Sequence, residues 1–240
     1  MIKIGVSGAC GKMGRRIIEL SKKDKDLNIV FGLEKEGYPD LGSSVEAVPV
    51  ISDLNRIKEC DCLIEFSSVQ ATLEHLSCLV KENKCGVIGT TGLGLKEQDR
   101  IKEAAKSIPI VFSPNMSVGV NLLFKLLKIS AGLLKGYDAF IQEAHHVHKK
   151  DAPSGTAKKL AQIINEQGFN IKIDDIKSIR EDEIVGDHRV VFESGVDKIE
   201  FFHSAKTRDI FAEGALTAAK WIIGKAPGLY SMDDVLFSGV

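Results

Sequence analysis

The sequence carries no surplus charge of either sign: 32 Lys and Arg stand against 33 Asp and Glu, a formal net charge of -1. No segment gathers a basic stripe, so nucleic acid is not an expected partner. No uninterrupted apolar run is long enough to cross a bilayer, and no membrane span is predicted. Cysteine is sparse and oddly numbered: Cys10, Cys60, Cys62, Cys78 and Cys85 contain no C-x-x-C pair. That pattern argues against a disulfide framework and against a zinc site, and free thiols of this kind suit a reducing cytoplasm. Internal repeats and low-complexity segments are absent too. The opening MIKIGVSGACG begins a strand at once, so a cleaved leader is not expected.

What is present is ordinary globular material. The 240 residues, 44% apolar and 27% charged, suffice for one or two domains with a proper core. In the first half, short apolar runs at 2–6, 27–33, 62–66, 85–88 and 110–112 read as buried parallel strands. Segments 12–22, 68–82 and 96–107 carry helical spacing between them, with Leu73, Leu76, Leu79 and Val80 forming the apolar stripe of the second. The predicted fold class is α/β: a Rossmann-like doubly wound parallel sheet, followed by a second α+β domain built on a mixed sheet. A strongly apolar helix over 118–134 leads into that second unit. There the expectations are a strand over 139–146, a helix from Ser154 to about Glu166, and strands at 171–173, 190–193 and 198–203. The acidic stretch 174–187 reads as an exposed connection. A helix rich in small residues over 209–223 is expected to return to the first domain. The domain division is therefore 1–117 with 209–240 for dinucleotide binding, and 118–208 for substrate binding and oligomerisation.

Two regions carry chemistry. Gly8, Gly11 and Gly14 form G-A-C-G-K-M-G between the first strand and first helix, where a backbone can approach a pyrophosphate lying on the helix N-terminus. A tight turn with no ligand is the alternative. Glu34 stands 20 residues after Gly14 at the end of the second strand, where a carboxylate accepts from a ribose hydroxyl. Lys35 beside it could meet a 2′-phosphate, so both NADH and NADPH are expected to be usable. Gly89-Thr90-Thr91-Gly92 and Ser113-Pro114-Asn115-Met116 follow strands at the ligand-binding edge of such a sheet. They are either ordinary turns or a nicotinamide site.

The second region is EAHHVHKKDAPSGTA, residues 143–157. Histidines spaced H-H-x-H could ligate a metal, but no ligand set accompanies them, and exposed histidines at a strand end are an alternative. In a regular strand His145 and Lys149 would lie about 13 Å apart on one face. To act on one small molecule, the strand must end near His146 and the chain must curl back before Asp151. Ser154 or Thr156 can then cap a helix, with Gly155 leaving room for an anion. A carboxylate there would gain charge-assisted hydrogen bonds of roughly 1.5–3 kcal/mol each.

These residues carry a resemblance. GACGKMG, GTTG at 89–92, SPNMSVG at 113–119, HHVHKKDAPSGTA at 145–157, GDHRVVF at 186–192, HSAKTRDIFAEGAL at 203–216 and GLYSMDDVL at 228–236 together resemble the 4-hydroxy-tetrahydrodipicolinate reductase (dihydrodipicolinate reductase) family along nearly the whole chain. The resemblance implies an oxidoreductase that uses NADH or NADPH, without a metal, to reduce a cyclic dicarboxylic imino acid in the diaminopimelate route to lysine. It implies His145 as general acid/base and Lys149 as proton donor, with His146, Lys149, Ser154, Gly155 and Thr156 holding substrate carboxylate. Gly8, Ala9, Cys10, Gly11, Lys12, Met13, Glu34, Lys35, Gly89, Thr90, Thr91, Ser113, Pro114, Asn115 and Met116 would line the dinucleotide. A cytoplasmic homotetramer joined through the second domain's sheets, with a hinge closing over substrate, is implied as well. The chain departs from the family pattern at Glu65, commonly Asp; at Val69, usually Pro; and at Val147, where some members are basic. The competing readings are a non-catalytic NAD(H)-binding sensor, and a dehydrogenase with a thiol nucleophile, for which only Cys10 stands at a helix start.

Overall fold

A computed structural model describes residues 1–239. The chain forms two compact units, Met1–Val118 joined by the segment from Phe211 onward, and Gly119–Ile210.

The first unit is an eight-stranded sheet. Its central strand β1 (Ile2–Ser7) pairs in parallel with β2 (Leu27–Leu33) on one side and with β5 (Cys62–Glu65) on the other. Beyond β2 lie β4 (Val48–Ile51), parallel, and β3 (Ser44–Val45), antiparallel to β4. Beyond β5 lie β6 (Cys85–Ile88), β7 (Pro109–Phe112) and β12 (Gly228–Tyr230), all parallel. The chain reverses direction across the sheet between β2 and β5, so the carboxyl end of β1 opens a crevice of the kind that takes ligands in doubly wound sheets. Helices α1 (Lys12–Ser21), α2 (Val69–Glu82) and α3 (Leu95–Ala104) cross between strands. β1 is buried on both faces, as a central parallel strand must be. Ser68 caps α2 by accepting from the Ala71 N–H, which makes Val69 the first helical residue. Proline is favoured at a first helical position because the N–H it lacks has no partner within the helix, and valine fills that position here.

The C-terminal segment completes this unit. In α6 (Asp209–Trp221) the small residues Ala212, Ala215, Ala218 and Ala219 are fully buried in one core with Ile4, Val6, Ile17 and Ile18. Their size lets the helix lie close, and α7 (Met232–Phe237) adds Met232 and Val235 to the same core.

The second unit begins with α4 (Val118–Leu133) and holds a four-stranded sheet ordered β11-β10-β8-β9. β8 (Asp138–His145), β10 (Gly186–Glu193) and β11 (Lys198–Ala205) are antiparallel neighbours, whereas β9 (Lys177–Arg180) runs parallel to β8 at the edge. Leu123 and Leu127 of α4 share a core with Leu160 and Ile164 of α5 (Gly155–Asn165) and with Ile141, Val190 and Phe192 of the sheet.

Two sequence expectations are corrected here. Residues 171–173 are not a strand: the Asn165 side chain takes both backbone hydrogen bonds of Ile171, at 2.8 Å each, and a 3-10 turn follows at Ile173–Asp175. The stretch 174–187 is not a bare connection, because it contains β9 and the start of β10. Its charges obscured a strand that follows directly on the buried Ile176, and charged residues on an edge strand discourage pairing with other chains.

Candidate active site

In the first unit the phosphate loop is built for close approach. A Cβ at Gly14 would lie 2.1 Å from the Gly8 carbonyl oxygen, so only glycine lets the loop fold over the start of α1. Gly11 occupies the cap position and offers no side chain to the first turn of α1, which also contains no acidic residue. The positive end of that helix thus remains open to an anion. The Cys10 N–H donates to Glu34 Oε1 at 2.8 Å, which fixes the carboxylate at the mouth of the loop. A cavity of about 530 Å³ lies alongside, lined by Gly8, Gly11, Glu34, Lys35, Tyr38 and His75 among others. It falls within the size range of small-molecule sites. Loop, helix end, carboxylate and cavity therefore fit the phosphate and ribose of a dinucleotide.

Other expected cofactor residues have different surroundings. Thr90 is buried, and its hydroxyl meets Thr72 Oγ1 at 2.9 Å and the Ser67 N–H at 3.3 Å. Met116 is a core residue, while Ser113 donates to the Asn115 carbonyl at 2.7 Å. Ala9 and Cys10 are buried, whereas Lys12, Thr91 and Pro114 are exposed and Met13 is half-buried. None of these lines the cavity beside Glu34. All five thiols have raised pKa values, burial being the first cause in each; Cys60 reaches about 12.

A further polar group lies at the end of β5, where the sequence singles out only Glu65. His75 Nδ1 lies 2.7 Å from Glu65 Oε2 and 3.2 Å from Ser7 Oγ, and Ser67 Oγ donates to Glu65. Glu65 is buried and reaches an imidazole on α2. The position of Glu65 at a strand end was the available signal.

The second unit gathers the histidine-lysine motif around one buried carboxylate. β8 ends at His145, and the Lys149 N–H donates to the His146 carbonyl at 3.1 Å, which reverses the chain just beyond the strand. Lys149 Nζ lies 2.8 Å from Asp151 Oδ1, and that contact lowers the Asp151 pKa. The Ala152–Pro153 peptide bond is cis. Ser154 then caps α5, its hydroxyl accepting from the Ala157 N–H at 3.1 Å and lying 3.2 Å from His188 Nε2. Among the described residues nothing lies within 4 Å of where a Cβ of Gly155 would stand, so the first turn of α5 can be approached. Ser154 itself is buried; Thr156 and His146 are half-buried, and His146 Nδ1 has no hydrogen-bond partner among the described residues.

Glu143, on the same face of β8 as His145, is 1% exposed. It binds His145 Nδ1, and Arg180 of β9 donates to both of its oxygens, at 3.1 and 2.9 Å. Burial alone would raise the Glu143 pKa; the Arg180 guanidinium and His145 outweigh it and hold the carboxyl below its ordinary value. Burial lowers the pKa of His145 as well, against the pull of Glu143. At His188, ring centroid 5.3 Å from that of His145, burial brings the pKa down to about 3. Neutral imidazoles thus stand beside an ammonium and the start of a helix, which is equipment for binding a carboxylate and moving a proton.

Comparison with known proteins places the chain. Residues 2–116 match the family described as "Dihydrodipicolinate reductase, N-terminus", and residues 119–236 match "Dihydrodipicolinate reductase, C-terminus". A 4-hydroxy-tetrahydrodipicolinate reductase of Aquifex aeolicus (strain VF5) is 44% identical, with 98% of each chain covered. One from Syntrophus aciditrophicus (strain SB) is 40% identical at the same coverage. Among solved structures, a dipicolinate-bound dihydrodipicolinate reductase from Paenisporosarcina sp. TG-14 matches with a TM-score of 0.82 at 22% identity, over 96% of this chain and 97% of that one. Both halves of the sequence match in order and nearly end to end: the chain belongs to the dihydrodipicolinate reductase family.

Proposed function

We propose that this chain catalyses reduction of 4-hydroxy-tetrahydrodipicolinate to tetrahydrodipicolinate with NADH or NADPH, in the diaminopimelate route of lysine biosynthesis, as a cytoplasmic homotetramer. The observation that carries the reading is the buried Glu143–His145 pair beside Lys149 and the N-terminus of α5. A sensor of nucleotide alone has no use for that combination. Gly8, Gly11, Glu34 and Lys35 would hold the dinucleotide, which when bound supplies hydride. Neutral His145 takes a proton from the substrate as the 4-hydroxyl, protonated by Lys149, leaves as water, and then returns that proton to the reduced carbon skeleton, a role worth roughly 10²–10⁴-fold in rate. Lys149 and the helix start at Gly155 and Thr156 meet the two carboxylates of the substrate, with His146 at the rim. Ser154 contributes by ordering that helix start.

The test is an absorbance assay of reduced-nicotinamide consumption by the purified chain with 4-hydroxy-tetrahydrodipicolinate. Consumption is expected with either nucleotide, and its absence with both overturns the reading. Glu34→Ala should weaken NADH binding more than NADPH binding, because only NADH presents both ribose hydroxyls to the carboxylate. Equal losses would show that Glu34 does not read the ribose.

A further inference from the structure

We infer that Glu143, clamped by Arg180, is a positioning residue that keeps the proton of neutral His145 on Nδ1, leaving Nε2 as the nitrogen that works on substrate. This rests on the reading of His145 as the acid–base group. The geometry carries it in three steps. First, a buried carboxylate that receives a guanidinium N–H on each oxygen is ionised and can only accept hydrogen bonds. The ring nitrogen facing it must therefore be the one that bears hydrogen. Second, the carboxylate is itself immobile. Arg180 is tied to the Asp151 carbonyl at 2.6 Å, and the Ser154 N–H reaches Glu143 Oε1 at 3.4 Å, so the turn and the start of α5 close around it. Third, the opposite nitrogen is left room. A Cβ at Gly186, the first residue of β10, would stand 3.0 Å from His145 Nε2. The strand starts with the one residue that does not crowd that atom.

The same arrangement sets the charge of the ring. The titratable and charged groups around His145 are Glu143 on β8, Arg180 on β9, Lys149 in the turn and His188 on β10. Arg180 neutralises Glu143, so the carboxylate orients the imidazole without forcing it to stay protonated. In Glu143→Gln the amide oxygen stays with Arg180 and the amide nitrogen turns to His145. It then donates to Nδ1 and drives the proton onto Nε2.

The experiment is nitrogen NMR of histidine-labelled intact protein at neutral pH, with the His145 signals identified by their loss in His145→Gln. Wild type should show Nδ1–H, and Glu143→Gln should show Nε2–H. The variant's kcat should fall roughly 10²–10⁴-fold, as when a catalytic imidazole is held in the wrong tautomer. Its KM for reduced nucleotide should not change. If Glu143→Gln does not fold, Arg180→Met supplies an independent reading. There the unneutralised carboxylate should move the acidic limb of the kcat/KM profile up by about one pH unit or more, and Arg180→Lys should restore it. The same tautomer in wild type and Glu143→Gln, or an unmoved limb in Arg180→Met, overturns the inference. A flipped tautomer with undiminished turnover upholds the positioning role and instead removes His145 from the proposed chemistry.

Discussion

At the scale of single residues, the motif depends on charges that are paired but not used up. Lys149 is held by Asp151 at 2.8 Å with its side chain still partly exposed, so a substrate carboxylate can compete for the ammonium. Lys149→Met keeps the apolar length of the side chain and removes only the charge. Turnover should fall about 10²-fold or more and substrate KM should rise, while nucleotide affinity measured by fluorescence titration stays near wild type. Unchanged turnover would take Lys149 out of the chemistry. His188 makes a different prediction, about stability. Burial depresses its pKa in the folded chain from 6.5 to about 3. The unfolded chain therefore binds more protons between those values, and stability present above pH 6.5 is lost as pH falls toward 3. A fully expressed shift of that size is worth on the order of 4–5 kcal/mol. His188→Gln can still reach Ser154 but cannot take up the proton. Urea midpoints compared at neutral and mildly acidic pH should drop further for wild type than for the variant, and parallel drops would refute the assignment.

Elements explain why parts of this molecule could be read in advance. The alternation of buried strands and amphipathic helices over the first 112 residues is a local pattern, and β1, β2, β5, β6 and β7 stand where their apolar runs predict. Strands β3, β4 and β12 are short and take their identity from pairing with distant segments, which no local run advertises. The site divides in the same way. His145, Lys149 and Ser154 are neighbours in sequence, so a motif could suggest them. Arg180 reaches Glu143 across 37 positions, and His188 reaches Ser154 across 34. Only the sheet register brings them together. Glu65 and His75 were hidden differently: a single acid at a strand end looks like a variant residue until the opposite helix supplies its imidazole. Packing between elements can be tested at α6. A Cβ at Gly214 would lie 1.7 Å from the Met116 carbonyl oxygen, a backbone atom that cannot rotate away. Gly214→Ala should cost at least about 3 kcal/mol, lowering Tm by roughly 6–12 °C. Glu213→Ala, one residue away on the exposed side, should leave Tm within about 2 °C. If the two variants melt alike, helix and loop are not in the contact described.

Over the whole molecule, the proposed tetramer calls for a surface that a lone chain would not leave bare. The second unit has one. Phe140 on β8 is 55% exposed and Phe202 on β11 is 53% exposed, two aromatic side chains on a sheet whose other face is covered by α4 and α5. In the register, Phe140 lies opposite Val191 and Phe202 opposite Arg189, so both phenyl rings belong to the uncovered side of β10. Arg189 lies over the Phe202 ring at 5.3 Å and also pairs with Glu200, giving the patch a polar border. An apolar centre rimmed by charge is the usual construction of a protein contact, and a second copy of the same sheet fits it by symmetry. Each phenylalanine is worth roughly 1.5–3 kcal/mol on full burial, and closed symmetry multiplies that value over every copy. Phe140→Asp with Phe202→Asp should therefore shift the sedimentation coefficient from that of a tetramer to smaller species at micromolar concentration. Unit folding should be unaffected, since neither ring belongs to the core formed by Leu127, Leu160 and Phe192. A double variant that still sediments as wild type would place the assembly surface elsewhere on the chain.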